Sequence, residues 1–326
     1  MGRETTKALL AGAFAMTVAC GARTGIEVDA IASSDSDAGA SVPVMFGGQQ
    51  AAQGDLADTW MWSGHAWASS RAAGPSARWG AALGTTRAQA VLFGGVNAQG
   101  NVSAETWTWD GTAWTNLQVS GPPPRYAAAV ASLHGTVVVF GGYGFDSNPL
   151  SDTWLWNGAS WTESTAPAPS PRAFASATGL SDAIVLFGGT GLTGATLGDT
   201  WTWDGSAWTL QPTATSPSAR LAPAMATLGG RAVLFGGYAG NEHSVELGDT
   251  WTWDGSGWSE QHVQGPSGRS QASMASDGDA LILFGGYTSV GHPVGDTWSW
   301  SGTTWTAVTA PGPGARAGAA MTALSR

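Results

Sequence analysis

The sequence predicts an all-β fold, a six-bladed β-propeller in which every blade is a four-stranded antiparallel sheet. Two recurring features indicate it. An apolar run that ends in Phe is followed by Gly-Gly six times, and each copy precedes a block with three tryptophans. The composition agrees with short strands and tight turns, because the chain has 48 Gly and 19 Trp but only 11% charged residues, well below the roughly 25% of ordinary globular chains.

The repeat has a nearly constant length. The Phe residues before Gly-Gly are separated by 47, 47, 47, 48 and 49 residues. A regular period of this length is typical of folds built from one repeated supersecondary unit. These residues are Phe46, Phe93, Phe140, Phe187, Phe235 and Phe284.

Each repeat carries the signals of four strands. In the third copy an Ala/Val-rich run at 127–133 is followed by a tight turn and by the apolar run Val137–Phe140. Two further strands are predicted at Thr153–Trp156 and from Trp161 onward. They are separated by Asn-Gly, a strong signal for a β-hairpin. Four strands joined in this order form a meander, which is one propeller blade.

The recurring tryptophans are expected to pack the fold and not to bind a ligand. Trp60 and Trp62 are two residues apart, so that both side chains point to the same face of a strand. Each buried ring removes ~150–250 Å² from water, which suits packing between adjacent wedge-shaped sheets. Of the 19 tryptophans, 18 belong to the repeated block, and Trp79 is the exception.

The two ends of the chain are predicted to complete one blade. The repeats begin at Val44, on the second strand of a blade, and finish after Arg316 with a segment that matches only a first strand. The ring is therefore expected to close by pairing of 316–326 with the strand at 44–48. Closure would remove the free sheet edges that an open array would expose.

The charge of the chain narrows the classes of partner. The formal net charge is −10, and the whole chain has only 13 Lys and Arg residues. A nucleic-acid site needs clustered Lys and Arg to neutralise phosphates. The sequence therefore argues against a nucleic-acid partner.

The N-terminus is interpreted as a signal peptide at residues 1–19. Its apolar run at 8–19 follows two basic residues and is too short to span a bilayer. Cys20, the single cysteine of the chain, comes directly after it, and this arrangement resembles a bacterial lipoprotein signal in which the cysteine carries the lipid. The alternative is an ordinary signal peptide that is cleaved near Ala22.

The remaining chain divides into a tether and the propeller. Residues 20–41 are rich in Gly, Ala, Ser and Asp and are predicted to be disordered. Residues 42–326 form the propeller. Export to a bacterial envelope follows from this interpretation, with a lipid anchor at the outer membrane or cell surface as the only membrane attachment, or otherwise a periplasmic or secreted protein.

The repeated motif resembles the kelch repeat. The resemblance lies in the Phe-Gly-Gly doublet, the downstream tryptophan pair, the later Trp and the Arg before the first strand, and it covers residues 44–326. Kelch repeats occur in the propeller of galactose oxidase and in many bacterial exported proteins. The copper site of that oxidase uses a Tyr linked to a Cys, which this propeller lacks, so that neither a metal nor another cofactor is expected.

Six arginines and six carboxylates are expected to meet on one rim of the propeller, which we call the arginine rim. Antiparallel geometry places the start of the first strand, the end of the second and the start of the third at the same end. Matched numbers of opposite charges favour structural, charge-assisted hydrogen bonds over a ligand site. The residues are Arg78, Arg125, Arg172, Arg220, Arg269 and Arg316, with Asp58, Glu105, Asp152, Asp199, Asp249 and Asp296.

The repeats differ most in the loops on the arginine rim, which makes this face the candidate binding face. Length changes between copies occur only within 209–219 and 238–248. Aromatic and polar side chains in these loops are the candidate ligand-binding residues, although ordinary loop variation would explain them equally. The candidates are Trp79, Tyr126, Tyr143, Tyr238, Asn241, Glu242, His243, Tyr287 and His292.

The sequence favours a non-enzymatic binding module whose ligand, a protein or a glycan at the envelope, is held on the arginine rim. We expect a monomer. Motifs for a nucleophile elbow or a zinc site are absent from the sequence. The alternative is a carbohydrate-active enzyme, similar to the kelch sugar epimerases or oxidases, in which Glu242 and His243 would form an acid–base pair.

Overall fold

The computed structural model describes residues 41–51, 54–240 and 245–325. The predicted signal peptide, Cys20 and nearly all of the predicted tether lie outside the described residues. Every regular element within the described ranges is a β-strand. The described residues contain no helix that is long and apolar enough to cross a membrane.

Six four-stranded antiparallel sheets surround a central channel, which confirms the predicted fold. Within each blade we name the strands A to D outward from the channel. The A strands line the channel and are rich in Ala, Ser and Thr, since small side chains fit where six sheets converge. From blade 1 to blade 6 they are Ala320–Ser325, Ala82–Thr85, Ala129–Leu133, Ser176–Gly179, Ala224–Leu228 and Ser273–Ser276.

The B strands lie between two neighbouring blades and are therefore apolar on both faces. Their Val, Leu, Ile and Phe side chains are almost completely buried. In the same blade order they are Ser41–Phe46, Ala90–Phe93, Thr136–Phe140, Ile184–Phe187, Arg231–Ala239 and Leu281–Phe284.

The C and D strands form the outer hairpin of each blade and carry the tryptophans. The C strands are Thr59–Trp62, Thr106–Trp109, Thr153–Trp156, Thr200–Trp203, Val245–Trp253 and Thr297–Trp300. The D strands are Trp67–Ser70, Trp114–Asn116, Trp161–Glu163, Trp208–Gln211, Trp258–Gln261 and Trp305–Val308.

Short two-stranded ladders extend three blades at the arginine rim. They pair Gln49–Gln50 with Gly54–Asp55, Arg172–Ala173 with Thr190–Gly191, and Arg269–Ser270 with Tyr287–Thr288. The connections between strands A and B lie at the opposite end of the propeller.

Each blade is held to the next by one buried tryptophan. The indole Nε1 of the tryptophan that begins strand D donates to the Oγ1 of a Thr in strand C of the preceding blade, as from Trp114 to Thr59 at 2.9 Å. The same ring contacts the Phe that ends strand B of that blade, with 5.4 Å between the ring centroids of Trp114 and Phe46. Equivalent contacts join all six blade pairs. The prediction that these tryptophans pack the fold is confirmed.

Blade 1 contains both ends of the propeller, as predicted. Its strand A comes from the C-terminal part of the chain, and the pairing runs from Ser41 opposite Ser325 to Phe46 opposite Ala320. The predicted strand bounds were shifted toward the rim. Strand B ends at Phe46 because Gly47 and Gly48 have φ values of 68° and 96°, which break the extended backbone.

Deletion of residues 316–326 is expected to abolish cooperative thermal unfolding, because it leaves strand B of blade 1 with an unpaired edge. Circular dichroism against temperature measures this. Deletion of Arg326 alone is the control and should leave the melting temperature unchanged. A native-like transition in the longer deletion would contradict closure of the ring by this strand.

Candidate functional site

Every arginine of the rim forms an ion pair with the carboxylate at the start of strand C in its own blade. The nitrogen–oxygen distances are 2.5–2.7 Å. The six guanidinium groups are buried, whereas the carboxylates are partly exposed. The pairs are Arg78–Glu105, Arg125–Asp152, Arg172–Asp199, Arg220–Asp249, Arg269–Asp296 and Arg316–Asp58.

The pair in blade 3 illustrates how the buried charge is compensated. Arg125 makes two parallel hydrogen bonds to Asp152, each 2.6 Å long, and donates two more to the carbonyl oxygens of Pro123 and Gly141. Asp152 also accepts a hydrogen bond from Trp154. Burial alone would raise the pKa of Asp152, but the hydrogen bonds and the charge of Arg125 outweigh it and hold that pKa below its ordinary value.

Blade 2 is the exception, since a glutamate replaces aspartate. Arg78 reaches Glu105 through a single nitrogen at 2.6 Å, and its other terminal nitrogen donates to Ser103 and to Gly94. Nearly half of the Glu105 side chain is exposed. The longer glutamate side chain thus accepts one hydrogen bond from its arginine, where aspartate accepts two.

Inside the ring of arginines, six peptide groups form a second ring around the mouth of the channel. The residue two positions after each arginine donates its N–H to the carbonyl of the equivalent residue in the preceding blade, at 2.7–3.0 Å. All six have positive φ, between 51° and 64°. The members are Gly80, Ala127, Phe174, Ala222, Gln271 and Gly318, and we call them the mouth ring.

Four aromatic side chains stand together on one side of the mouth ring, and we call them the aromatic cluster. Trp79 lies 5.3 Å from Tyr126 and 6.4 Å from Phe174, measured between ring centroids. Tyr143 lies 5.5 Å from Tyr126 and 5.9 Å from Phe174. All four rings are half-buried, so that each presents part of its surface to solvent. The cluster belongs to blades 2, 3 and 4.

Gln271 stands in blade 6 and is separated from Phe174 in the mouth ring by Ala222 alone. Its Oε1 and the ring of Trp79 both lie over Gly318, where an added Cβ would come within 3.3 Å of each. The Oε1 atom is buried and has no hydrogen-bond partner among the described residues. Trp79, Phe174 and Gln271 line a pocket of about 130 Å³.

Trp79, Tyr126 and Tyr143 were predicted from the sequence, whereas Phe174 and Gln271 were not. The signal was present. Four copies carry Gly or Ala two residues after the arginine, and only these two carry large side chains. The role of that position is evident only from the mouth ring, because its hydrogen bonds join residues that are about 47 positions apart in the sequence.

The other described candidates lie outside the aromatic cluster and do not line the mouth pocket. Tyr238 and Tyr287 occupy the places in blades 5 and 6 that Tyr143 has in blade 3, where they pair with Leu221 and Ser270. His292 is exposed in the loop of blade 6. Asn241, Glu242 and His243, and with them the acid–base pair of the enzymatic alternative, lie outside the described residues.

The channel below the mouth encloses about 360 Å³. Several of its hydroxyl groups bind one another or the backbone, as in the 2.9 Å contact between Thr178 and Thr227. None of the described residues along its wall has a charged side chain. The part of the chain that the structure describes also contains no group of three or more His, Cys, Asp or Glu residues suited to a metal ion.

The fold defines a closed propeller of six equivalent blades. The side chains around its mouth, by contrast, differ from blade to blade. The sequence profile of the KLHDC2/KLHL20/DRC7 Kelch-repeats domain matches residues 85–265, more than half of the chain. The chain belongs to this kelch-repeat family. No curated protein matches the chain. Kelch domains generally mediate protein interactions, and the propeller thus suggests a protein-interaction module.

Replacement of Asp152 by Asn is expected to destabilise the fold by roughly 2–4 kcal/mol at neutral pH, because Arg125 then remains buried beside a neutral group. The pKa of Asp152 is lowered in the folded state. Its ion pair therefore stabilises the fold above the ordinary Asp pKa of about 3.9, and this stabilisation is lost as the pH falls further.

Chemical unfolding of the wild type and Asp152→Asn between pH 7 and pH 3 measures both effects. The two curves should approach each other toward the acid end. Asp279→Asn, at an exposed turn, is the matched control and should change little. An equal loss in both variants would contradict the structural role of the pair.

Proposed function

We propose that the protein is a non-enzymatic interaction module whose protein ligand docks on the arginine rim, over the channel mouth. The observation that carries this proposal is the aromatic cluster. Half-exposed Trp and Tyr side chains are enriched at the centres of protein interfaces, where they supply large contact areas at low entropic cost. The cluster occurs in three of six otherwise equivalent blades, so that it is not required by the repeat.

The loops between strands B and C extend this surface outward. Large apolar side chains stand exposed near their tips, with Phe145 80%, Leu192 64% and Val290 73% accessible. Exposed apolar groups that are gathered on one face are typical of interaction sites. A partner that covers the mouth would bury these tips together with the aromatic cluster.

The location of the protein belongs to the same proposal. We infer an exported protein that is held at a bacterial envelope through Cys20, on the basis of the apolar run at 8–19 and the small residues before the cysteine. A tether of about 20 residues would let the propeller reach a partner beyond the membrane surface.

Selection of a displayed peptide library against the propeller is expected to yield peptides that bind saturably and compete for the rim. Trp79→Ala and Tyr143→Ala should each weaken them at least tenfold, because each removes an aromatic contact worth more than ~1.4 kcal/mol. Arg231→Ala is the matched control, since Arg231 is exposed at the opposite end of the propeller.

Unchanged melting temperatures establish that the variants are folded. Peptides that respond to Arg231→Ala and not to the rim variants would overturn the proposed site. A parallel glycan array tests the other ligand class, and saturable glycan binding with no peptide binder would overturn the proposal of a protein ligand.

The Cys20→Ser variant is expected to move from the membrane to the soluble fraction of a bacterial host, because it removes the thiol that would carry the lipid. Immunoblots of fractionated cells measure the change. Ala22→Ser is the control and should stay in the membrane fraction. A Cys20→Ser protein that remains in the membrane fraction would contradict the lipid anchor.

A further inference from the structure

We infer that the ligand presents a cationic group to the channel mouth, a lysine or arginine side chain of the partner that enters the pocket between the aromatic cluster and Gln271. This inference rests on the proposed function and adds the chemical class of the group that is recognised.

The guanidinium donors of the rim are engaged within the protein. The guanidinium of Arg220, for example, donates to Asp249 through both terminal nitrogens and to two backbone carbonyls. The five equivalent arginines are buried and bonded in similar ways. An anionic ligand would therefore have to break an existing ion pair before it gained a guanidinium.

The backbone donors of the mouth are engaged as well. Each N–H of the mouth ring donates to the neighbouring blade, whereas each carbonyl accepts only one of the two hydrogen bonds that it can accept. Oε1 of Gln271 is a further acceptor, without a partner among the described residues. The described mouth ring thus offers unused hydrogen-bond acceptors, whereas its backbone donors are all engaged.

The aromatic rings favour the same class of ligand. A cation over the face of Trp or Tyr is stabilised by ~0.5–1 kcal/mol at an exposed site and ~2 kcal/mol when it is desolvated. The cluster combines Trp79 with two tyrosines and Phe174, and its neighbouring rings lie 5.3–6.4 Å apart between centroids. A net charge of −10 would also raise the rate at which a cationic partner arrives.

Backbone strain indicates that the two large side chains of the mouth ring are placed for a purpose. Phe174 and Gln271 have φ values of 56° and 53°, in the left-handed region where a residue with a large side chain is disfavoured. The positive φ recurs in all six members, and Ala127 and Ala222 adopt nearly the same values, 52° and 51°. The ring therefore requires this backbone but not a large side chain on it, and strained backbone is typical of functional positions.

The opening inside the mouth ring limits how deep a ligand can enter the channel. Hydrogen-bonded chains lie about 4.8 Å apart, so that a ring of six is about 10 Å across between backbones. This admits one extended side chain and excludes a folded segment. The aromatic cluster would contact the aliphatic stem and the cation, and the carbonyl groups of the mouth ring together with Gln271 would accept hydrogen bonds from the charged end.

Titration of fluorotryptophan-labelled protein with choline, followed by fluorine NMR, tests the inference directly. The Trp79 resonance is assigned by its loss in Trp79→Phe. We expect it to shift saturably, with an affinity at least about fivefold above that of the neutral isostere of choline, 3,3-dimethylbutanol, the ratio that ~1 kcal/mol of cation–π attraction gives. Equal affinity for the two probes, or no saturable shift, would overturn the inference.

Variants separate this inference from the proposed function. Gln271→Leu should weaken binding of Nα-acetyl-lysine amide at least twofold without a change in melting temperature. Arg231→Ala should leave this binding unchanged. Rim-binding peptides whose affinity survives replacement of every Lys and Arg by norleucine would contradict the cationic ligand and leave the proposed interaction face intact.

Discussion

The burial of six guanidinium groups is the constraint on which the rest of the rim depends. A charged group removed from water is tolerated only when a counter-charge and hydrogen bonds replace its hydration. Arg125 meets this condition by binding the start of strand C through Asp152 and the end of strand B through Gly141. One side chain thereby fixes three strand ends of a blade. The loops that leave these ends are held in place, and a binding surface can be built on them.

The scaffold and the mouth use aromatic side chains in different ways. Trp114 and its five equivalents are buried between blades, where each donates one hydrogen bond and contacts one Phe. The rings of the aromatic cluster are half-exposed and belong to only three blades. Because six equal blades share one architecture, residues that recur in all six serve the ring, whereas residues that appear once are free to serve a ligand. The mouth ring belongs to both groups. Its backbone hydrogen bonds recur in all six blades, but the side chains of Phe174 and Gln271 each occur in only one.

The sequence predicted the parts of this arrangement that repeat. The spacing of Phe-Gly-Gly and of the tryptophan block determined blade number, strand order and closure, because each copy repeats the same local signals. The strand at 44–48 was predicted to continue to residue 48, but strand B ends at Phe46. The positive φ of Gly47 and Gly48 breaks the extended backbone there, and the sequence does not state backbone angles. The aromatic cluster was predicted in part. Phe174 was missed because its neighbours come from other blades, and no local pattern reports contacts between residues far apart in the chain.

A scan of all single substitutions, scored in parallel for folding and for binding of a selected peptide, tests the central claim most directly. The claim is that recurring residues build the propeller and that the exceptional ones at the mouth bind. Substitutions at Arg125, Asp152 and Trp114 should lower both scores together, whereas those at Trp79 and Gln271 should lower binding alone. If mouth substitutions reduced folding as much as binding, or if binding depended on the opposite end of the propeller, the account would be contradicted.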